Sequence, residues 1–282
     1  MTRTRQRLDA LWRVIGSAVC FTAFGLACVL ACVTALPLIR LISPDRPLMR
    51  RRVRRLLQLG CGFLIGMGRK LGVISYELHG FERLQVPGQL VVANHPSLID
   101  MLFIGAHTPQ MDCIVKDGLM RKPFLRTLLR WADYIPNNAP QHLIKHCVAT
   151  LRAGNSMLVF PEGTRSAPGQ ALKMKRGAAH IALASGCDLL PVSILCCPSS
   201  LTKADVWYRV PSRRPHWRLR VGEPISLDSL ITPGASESHN ARRVTAHLVA
   251  YFSGTTMLQM PTPMPAVALA TAAATLVAPA AR

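Results

Sequence analysis

The sequence predicts an α/β fold: a mixed, largely parallel sheet flanked by helices, preceded by an N-terminal membrane-anchoring helical segment. Two observations carry this. From about residue 71 onward, short apolar runs rich in β-branched residues alternate with stretches of helical period. Strands that alternate with helices need crossover connections, which cover both faces of a parallel or mixed sheet. Ahead of that region, residues 14–39 run without a single charge between Arg13 and Arg40. About 20 apolar residues are needed to cross the hydrocarbon core of a bilayer.

The uncharged segment is long enough to span once with some tilt, or to bend back at Pro37 as a re-entrant hairpin. Arg3, Arg5, Arg7 and Arg13 precede it; Arg40, Arg46, Arg50, Arg51, Arg52, Arg54 and Arg55 follow. The heavier load on the C-terminal side favours a cytoplasmic catalytic portion, compatible with a bacterial inner membrane. A cleaved signal peptide is the competing reading. The apolar run continues past Cys32 and meets a dense arginine cluster, so the segment reads as an anchor. Residues 50–68 combine that polybasic run with a short, glycine-rich apolar stretch. Both an interfacial helix on anionic headgroups and a core helix of the soluble domain fit it.

Within the α/β region, strands are expected at 73–78, 90–93, 113–115, 157–160, 190–195 and 217–221. Helices are expected at 98–106, 119–131, 141–153, 173–184 and 238–252. The chain divides into an N-terminal membrane anchor and basic interfacial segment (1–70), a catalytic domain (71–253) and an Ala/Pro/Thr-rich flexible tail (254–282).

Half of the 282 residues are hydrophobic and the mean hydropathy is +0.24, which excludes a disordered chain. Lys and Arg total 34 against 14 Asp and Glu, a formal net charge of +20. A surface this basic suits a polyanion: nucleic acid, an anionic membrane face or phosphorylated substrates. The arginine run lies beside an apolar run with no interleaved aromatics, which favours lipid and speaks against nucleic acid. Nine cysteines without a C-x-x-C pair argue against a disulfide scaffold and a structural zinc site, and no metal is expected.

Chemistry concentrates in two places. Residues 90–100 read Leu-Val-Val-Ala-Asn-His-Pro-Ser-Leu-Ile-Asp, a buried strand running into a helix. His95 falls at the strand's C-terminal end, where α/β sheets place ligands. Asp100, about one turn into the helix, can reach back to the imidazole, fix its tautomer and stabilise its cation. Taken alone, an H-x-x-x-x-D pattern fits equally a His and an Asp satisfied separately. Residues 159–166 read Val-Phe-Pro-Glu-Gly-Thr-Arg-Ser, a strand ending in a loop. Arg165 there suits bidentate phosphate binding, although a turn in which Glu162 and Arg165 pair with each other is the plainer alternative. Lys173, Lys175 and Arg176 follow, read by themselves as a solvated basic face.

Together these residues resemble the glycerolipid acyltransferase family, whose best-known members are the 1-acylglycerol-3-phosphate acyltransferases. Residues 94–100 fit the family's N-H-x-S-x-x-D block, and residues 160–166 fit its F-P-E-G-T-R-S block without substitution. Residues 173–177 and 189–194 are similar to its later lysine-glycine stretch and final apolar strand. The likeness covers roughly 76–224. The family's middle block supplies a lysine, a proline and a later arginine. Lys116 and Pro123 fit it, but the arginine region reads Ile135-Pro136-Asn137-Asn138. Arg126, Arg130 or Lys145 can substitute for that charge.

The resemblance implies acyl transfer without a covalent enzyme intermediate. His95 acts as general base, oriented by Asp100, on the hydroxyl of lysophosphatidic acid, which attacks a thioester to give phosphatidic acid. Gly163, Thr164 and Arg165 bind the acceptor phosphate, with Glu162 ordering the loop and Ser97 and Lys116 as further substrate contacts. A capping role also accounts for Ser97. Backbone amides near the helix start are candidate oxyanion donors. No cofactor is implied; acyl-CoA or acyl carrier protein is the co-substrate, and membrane lipids and a lyso-phospholipid acceptor are the partners. Another acceptor, such as a lyso-ornithine lipid, and a non-catalytic anionic-lipid-binding protein are the alternatives. The cysteines read as core or lipid-facing residues.

Overall fold

The structure is a computed structural model and describes residues 3–137, 140–166 and 170–258. Seven strands form one sheet: β1 Ser75–His79, β2 Leu90–Ala93, β3 Asp112–Val115, β4 Ile135–Pro136, β5 Met157–Val159, β6 Leu189–Cys197 and β7 His216–Val221. Their spatial order is β1-β7-β6-β2-β5-β3-β4. Every pair is parallel except β6–β7, so the sheet is mixed and largely parallel, as expected. β2 and β5 are buried at every position, which explains their continuous rather than alternating hydrophobic pattern.

The parallel run places the C-terminal ends of β6, β2, β5, β3 and β4 along one edge of the sheet. Helices α4 (Asp100–His107), α5 (Pro123–Trp131), α6 (Pro140–Arg152) and α7 (Gly177–Ser185) connect the strands, and α8 (Glu237–Leu258) closes the chain. Two boundaries differ from the sequence-based expectation for clear reasons. The helix expected at 119–131 is broken into a 3-10 turn, Asp117–Arg121, and α5, because Pro123 cannot donate and starts a new helix at its first turn. The helix expected from residue 173 begins only at Gly177. Before it, the Lys175 amide donates to the Pro161 carbonyl at 2.8 Å, which holds that stretch against the preceding loop. Residues 254–258, assigned above to the tail, continue α8; the rest of that expected segment, 259–282, lies outside the described residues.

The N-terminal segment is one long helical rod. α1 (Arg3–Leu30) passes through a π-helical turn, Ala31–Ala35, into α2 (Leu36–Ile42). Pro37 has no N–H to give the carbonyl one turn back, and the widened π turn accommodates that loss. The rod therefore does not fold back at Pro37. The reversal comes after Ile42, where Asp45 caps α3 (Arg46–Lys70) by accepting from the Leu48 amide at 2.7 Å. Residues Arg5–Ile42 form one helix long and apolar enough to cross a membrane.

The rod also touches the α/β domain along its length. Trp12 donates to the Leu71 carbonyl at 2.8 Å, Arg13 to the Ser212 carbonyl at 3.1 Å, and Cys32 to the Phe124 carbonyl at 3.2 Å. Leu11, Ile15, Val19, Leu26 and Leu30 remain exposed, a stripe at helical spacing on the opposite side.

Of the two readings for residues 50–68, one face of α3 is core: Val53, Cys61 and Ile65 are buried with the sheet residues. Leu59 and Phe63 stay exposed on the other face. The polybasic run is likewise split. Arg54 is buried, and donates to Asp112 at 2.9 Å, the Ala132 carbonyl at 2.8 Å and the Gln110 carbonyl at 3.2 Å. Asp112, wholly buried at the start of β3, also accepts from Thr150 and from the Cys113 amide. Burial pushes the Asp112 carboxyl up, while the Arg54 guanidinium pulls it down.

This pair fastens α3 to the sheet, and removing one member leaves the other buried and alone. Arg54→Ala should cost about 3–5 kcal/mol, read by chemical unfolding of the detergent-solubilised protein. The Arg54→Ala/Asp112→Ala double variant should cost less than the sum of the single changes; strictly additive costs would refute the coupling.

Candidate active site

β2 ends at Ala93, and the next residue secures its exit. The Asn94 side-chain amide donates to the Ile194 carbonyl at 2.8 Å and accepts from the Ile194 amide at 2.7 Å. It thereby extends the ladder to β6 where the backbone leaves it. His95 is then gripped from the β5 side at both backbone polar groups. Its N–H donates to Glu162 at 2.8 Å and its carbonyl accepts from the Ser166 amide at 2.8 Å. Ser166 also donates its hydroxyl to Glu162. Glu162 thus ties the loop to the backbone of His95.

The imidazole is fixed in plane and in tautomer. It stacks on Phe160 with ring centroids 4.2 Å apart and planes 21° apart. Nδ1 lies 3.0 Å from Asp100 Oδ2. Asp100 has no solvent exposure. It also accepts from the Ser97 amide at 2.7 Å and the Ser97 hydroxyl at 2.6 Å. A carboxylate surrounded by donors requires the proton on Nδ1, which leaves Nε2 with a free lone pair. The His95 side chain is 20% exposed, so that lone pair can meet an incoming hydroxyl.

Several expected roles change. Ser97 is fully buried; its hydroxyl donates to Asp100 and accepts from Trp217 Nε1 at 3.1 Å. It therefore serves Asp100 rather than substrate. It does not cap α4 either, which begins at Asp100 itself. The amides at the helix start are committed too: Ser97 to Asp100, and Leu98 to the Leu201 carbonyl at 3.0 Å. Neither is available to an oxyanion. Arg165 does not pair with Glu162. Its Nη1 donates to the Leu201 and Thr202 carbonyls, both at 2.8 Å, leaving Nε and Nη2 for a phosphate.

Gly163 and Thr164 are exposed at the loop tip, and Lys116 is exposed just beyond the end of β3. Gly163 has φ +69°, and a Cβ there would lie 3.1 Å from Lys175 Cε and Nζ. The Lys175 side chain thus lies over the loop beside the expected phosphate ligands, a role hidden by its reading as part of a solvated face. Trp217, 120 residues away from Ser97, had no local signal at all. Cys196 is the thiol nearest this network. Burial, with a contribution from Asp100, pushes it up to about 12, so it is a protonated thiol at neutral pH rather than a nucleophile.

The tautomer is directly measurable. In ¹⁵N-histidine-labelled protein, His95 should show a protonated Nδ1 and an unprotonated Nε2. Asp100→Asn, whose amide can donate, should shift the proton to Nε2. A wild-type imidazole protonated at Nε2 would exclude the arrangement described.

Residues 75–195 match the model of the family described as Acyltransferase. A curated 1-acyl-sn-glycerol-3-phosphate acyltransferase of Pseudomonas aeruginosa is 30% identical over 158 residues, covering 54% of this chain and 61% of that protein. One from Limnanthes alba is 31% identical over 194 residues, covering 65% and 66%. The chain thus spans about three fifths to two thirds of the length of these two relatives. Among solved structures, PlsC of Thermotoga maritima, a 1-acyl-sn-glycerophosphate acyltransferase, superposes with a TM-score of 0.62 at 21% identity, covering 93% of this chain and all of that one. That likeness concerns the fold, and the family match spans both the His95–Asp100 pair and the 160–166 loop. The chain belongs, through residues 75–195, to the acyltransferase family.

Proposed function

We propose that the protein transfers a fatty acyl group from a thioester, acyl-CoA or acyl carrier protein, to the free hydroxyl of 1-acyl-sn-glycerol-3-phosphate, giving phosphatidic acid. The observation that carries this reading is the solvent-facing His95 whose Nδ1 is held by the buried Asp100 at 3.0 Å. A binding protein has no need of an imidazole held in that tautomer. The names of the curated relatives support the acceptor.

In the proposed reaction His95 Nε2 takes the proton of the acceptor hydroxyl as its oxygen bonds to the thioester carbonyl carbon. The carbon–sulfur bond then breaks and the imidazolium returns the proton to the departing thiolate. Thr164 and the free side of Arg165 hold the acceptor phosphate and Lys175 adds its charge; the Gly163 amide is already bonded to the Phe160 carbonyl at 3.0 Å, so Gly163 shapes the turn rather than binding the phosphate. Lys116, two strands farther along the sheet edge, is a further substrate contact. With the Ser97, Leu98 and Gly163 amides committed, the oxyanion takes its donors from Thr164, Arg165 and Lys175.

A second acceptor is favoured by one observation. Asn137 stands where the family supplies an arginine, and its carbonyl oxygen accepts from the Asp117 amide at 3.1 Å. It closes the β3–β4 edge and carries no charge to a phosphate. A different lyso-lipid, such as a lyso-ornithine lipid, would not need that charge.

Radiolabelled acyl-CoA and lysophosphatidic acid, incubated with the detergent-solubilised protein, should give phosphatidic acid. His95→Ala should lose at least about a hundredfold in rate. Activity only with lyso-ornithine lipid would establish the second acceptor. Equal rates for wild type and His95→Ala on a working substrate would refute the mechanism.

We also propose that the protein works on a membrane, the cytoplasmic face of a bacterial inner membrane being the setting its flanking arginines favour. The exposed stripe of α1 supports contact with a bilayer, as do Phe124 and the Trp207–Tyr208 pair near it, whose Trp207 ring lies 5.9 Å from Phe21. Because the rod lies along the domain, an in-plane attachment brings His95 to the lipid surface better than an upright span. Val19→Asp/Leu26→Asp should reduce flotation with phosphatidylglycerol vesicles severalfold. Unchanged flotation would exclude the stripe as the contact.

A further inference from the structure

A second basic site lies away from His95. A cavity of about 970 Å³ opens between the start of α3 and α5, lined among others by Arg46, Arg50, Arg121, Arg126, Arg130 and Trp131; His95 is not part of its lining. Arg50 is paired with Asp133 at 3.0 Å. Among the described residues, Arg46, Arg121, Arg126 and Arg130 have no carboxylate within ion-pairing distance. Arg126 and Arg130 stand one helical turn apart, an arrangement of like charges that opposes helix stability unless an anion intervenes. Guanidinium groups suit phosphate oxygens in particular.

Size and reach narrow the ligand. The volume far exceeds that of one phosphate and lies in the range of drug- and cofactor-sized pockets. Its walls add Trp131, Met49, Met120, Pro47 and Pro136, apolar surface that a planar base can cover. Asp117 and Pro136, at the cavity's border, lie at the C-terminal ends of β3 and β4, two and three places along the sheet from β2. At ordinary strand spacing that is about 10–15 Å from His95. A lyso-lipid whose hydroxyl meets His95 carries its phosphate only ~5 Å away by ordinary bond lengths, so its phosphate stays at the 163–165 loop. The phosphates of coenzyme A are separated from the thioester by a pantetheine arm that extends to about 16 Å by the same bond lengths.

We propose that the α3–α5 cavity receives the 3′-phosphoadenosine diphosphate end of coenzyme A. Arg46, Arg121, Arg126 and Arg130 meet its phosphates and Trp131 its base, so the pantetheine arm runs along the sheet edge toward His95. This rests on the thioester-donor reading given above and selects acyl-CoA over acyl carrier protein. It also assigns Arg126 and Arg130 to the donor rather than to replacing the charge missing at Asn137.

The test uses the full chain in detergent. Arg126→Ala/Arg130→Ala should raise KM for palmitoyl-CoA at least about tenfold, with kcat and the KM for the lyso-lipid unchanged. Adenosine 3′,5′-bisphosphate should compete with palmitoyl-CoA in wild type and lose that effect in the variant. Dephospho-CoA thioesters should be the poorer donors for wild type only. An unchanged palmitoyl-CoA KM with transfer intact overturns the proposal. So does a rise confined to the lyso-lipid KM, which would make the cavity an acceptor site, or a loss confined to flotation on phosphatidylglycerol vesicles, which would make it a lipid headgroup site. Use of acyl carrier protein thioesters alone overturns it as well. If wild type transfers acyl groups from no donor, the functional reading fails instead. Calorimetric binding of adenosine 3′,5′-bisphosphate to wild type, weakened in the variant, then still decides whether the cavity takes this nucleotide.

Discussion

The site depends on one buried carboxylate. Asp100 has no solvent contact, and an ionised carboxylate in that position is tolerated only when donors replace the water it lost. His95 and Ser97 supply all the donors in view, and Ser97 is in turn held by Trp217. Because those donors come from the chain just before it, Asp100 forces residues 95–99 into a tight turn. The helix can then start only at Asp100, where a negative side chain also suits the positive end of the helix dipole. Trp217 brings β7 into the same network. One side chain therefore joins the exit of β2, the start of α4 and a strand from the far side of the sheet.

The parallel run makes that junction useful. His95 emerges at the sheet edge with β6 on one side and β5 on the other, and both are used. Asn94 binds the backbone of β6, while Glu162 and Ser166, in the loop after β5, bind the backbone of His95. The two sequence blocks are thus halves of one hydrogen-bonded unit. The same bonding has a chemical consequence. It consumes the His95 amide, and the Ser97 and Leu98 amides are bonded elsewhere, so none of these three is free for an oxyanion.

What was legible in the sequence follows from range. The His95–Asp100 pair sits within six residues, and its partner loop ends a short apolar strand, so local pattern sufficed for both. The sheet's mixed, largely parallel character was equally legible, because the central strands β2 and β5 are continuous apolar runs between helical stretches. Trp217, Arg54 and Lys175 were not legible, since their roles depend on partners 120, 58 and 14 residues away. Arg54 was camouflaged by its neighbours: five arginines in six residues look alike until folding buries one against Asp112. β4 is two residues long, one of them proline, and offers no periodicity to detect. Ser97 was ambiguous because a hydroxyl beside a histidine suits substrate, a helix cap or a carboxylate, and only burial chooses the last.

The charge balance can now be placed in space. Of the 14 acidic residues, Asp100, Asp112 and Glu162 are buried and bonded to the protein's own donors. They do nothing to neutralise the exterior, which is more basic than the formal +20 suggests. Of the arginines between 46 and 55, one is buried in the core and another is paired at the cavity wall. Among the described cations without a carboxylate partner, Arg46, Arg121, Arg126 and Arg130 line the α3–α5 cavity and Arg165 and Lys175 lie at the loop after β5. A protein that bound a continuous polyanion would spread such charge in a stripe. Two separate basic foci at different distances from one imidazole instead suit two small anionic ligands that must be present together. The proposed transfer between a phosphorylated acceptor and a phosphorylated carrier would place that requirement on the site.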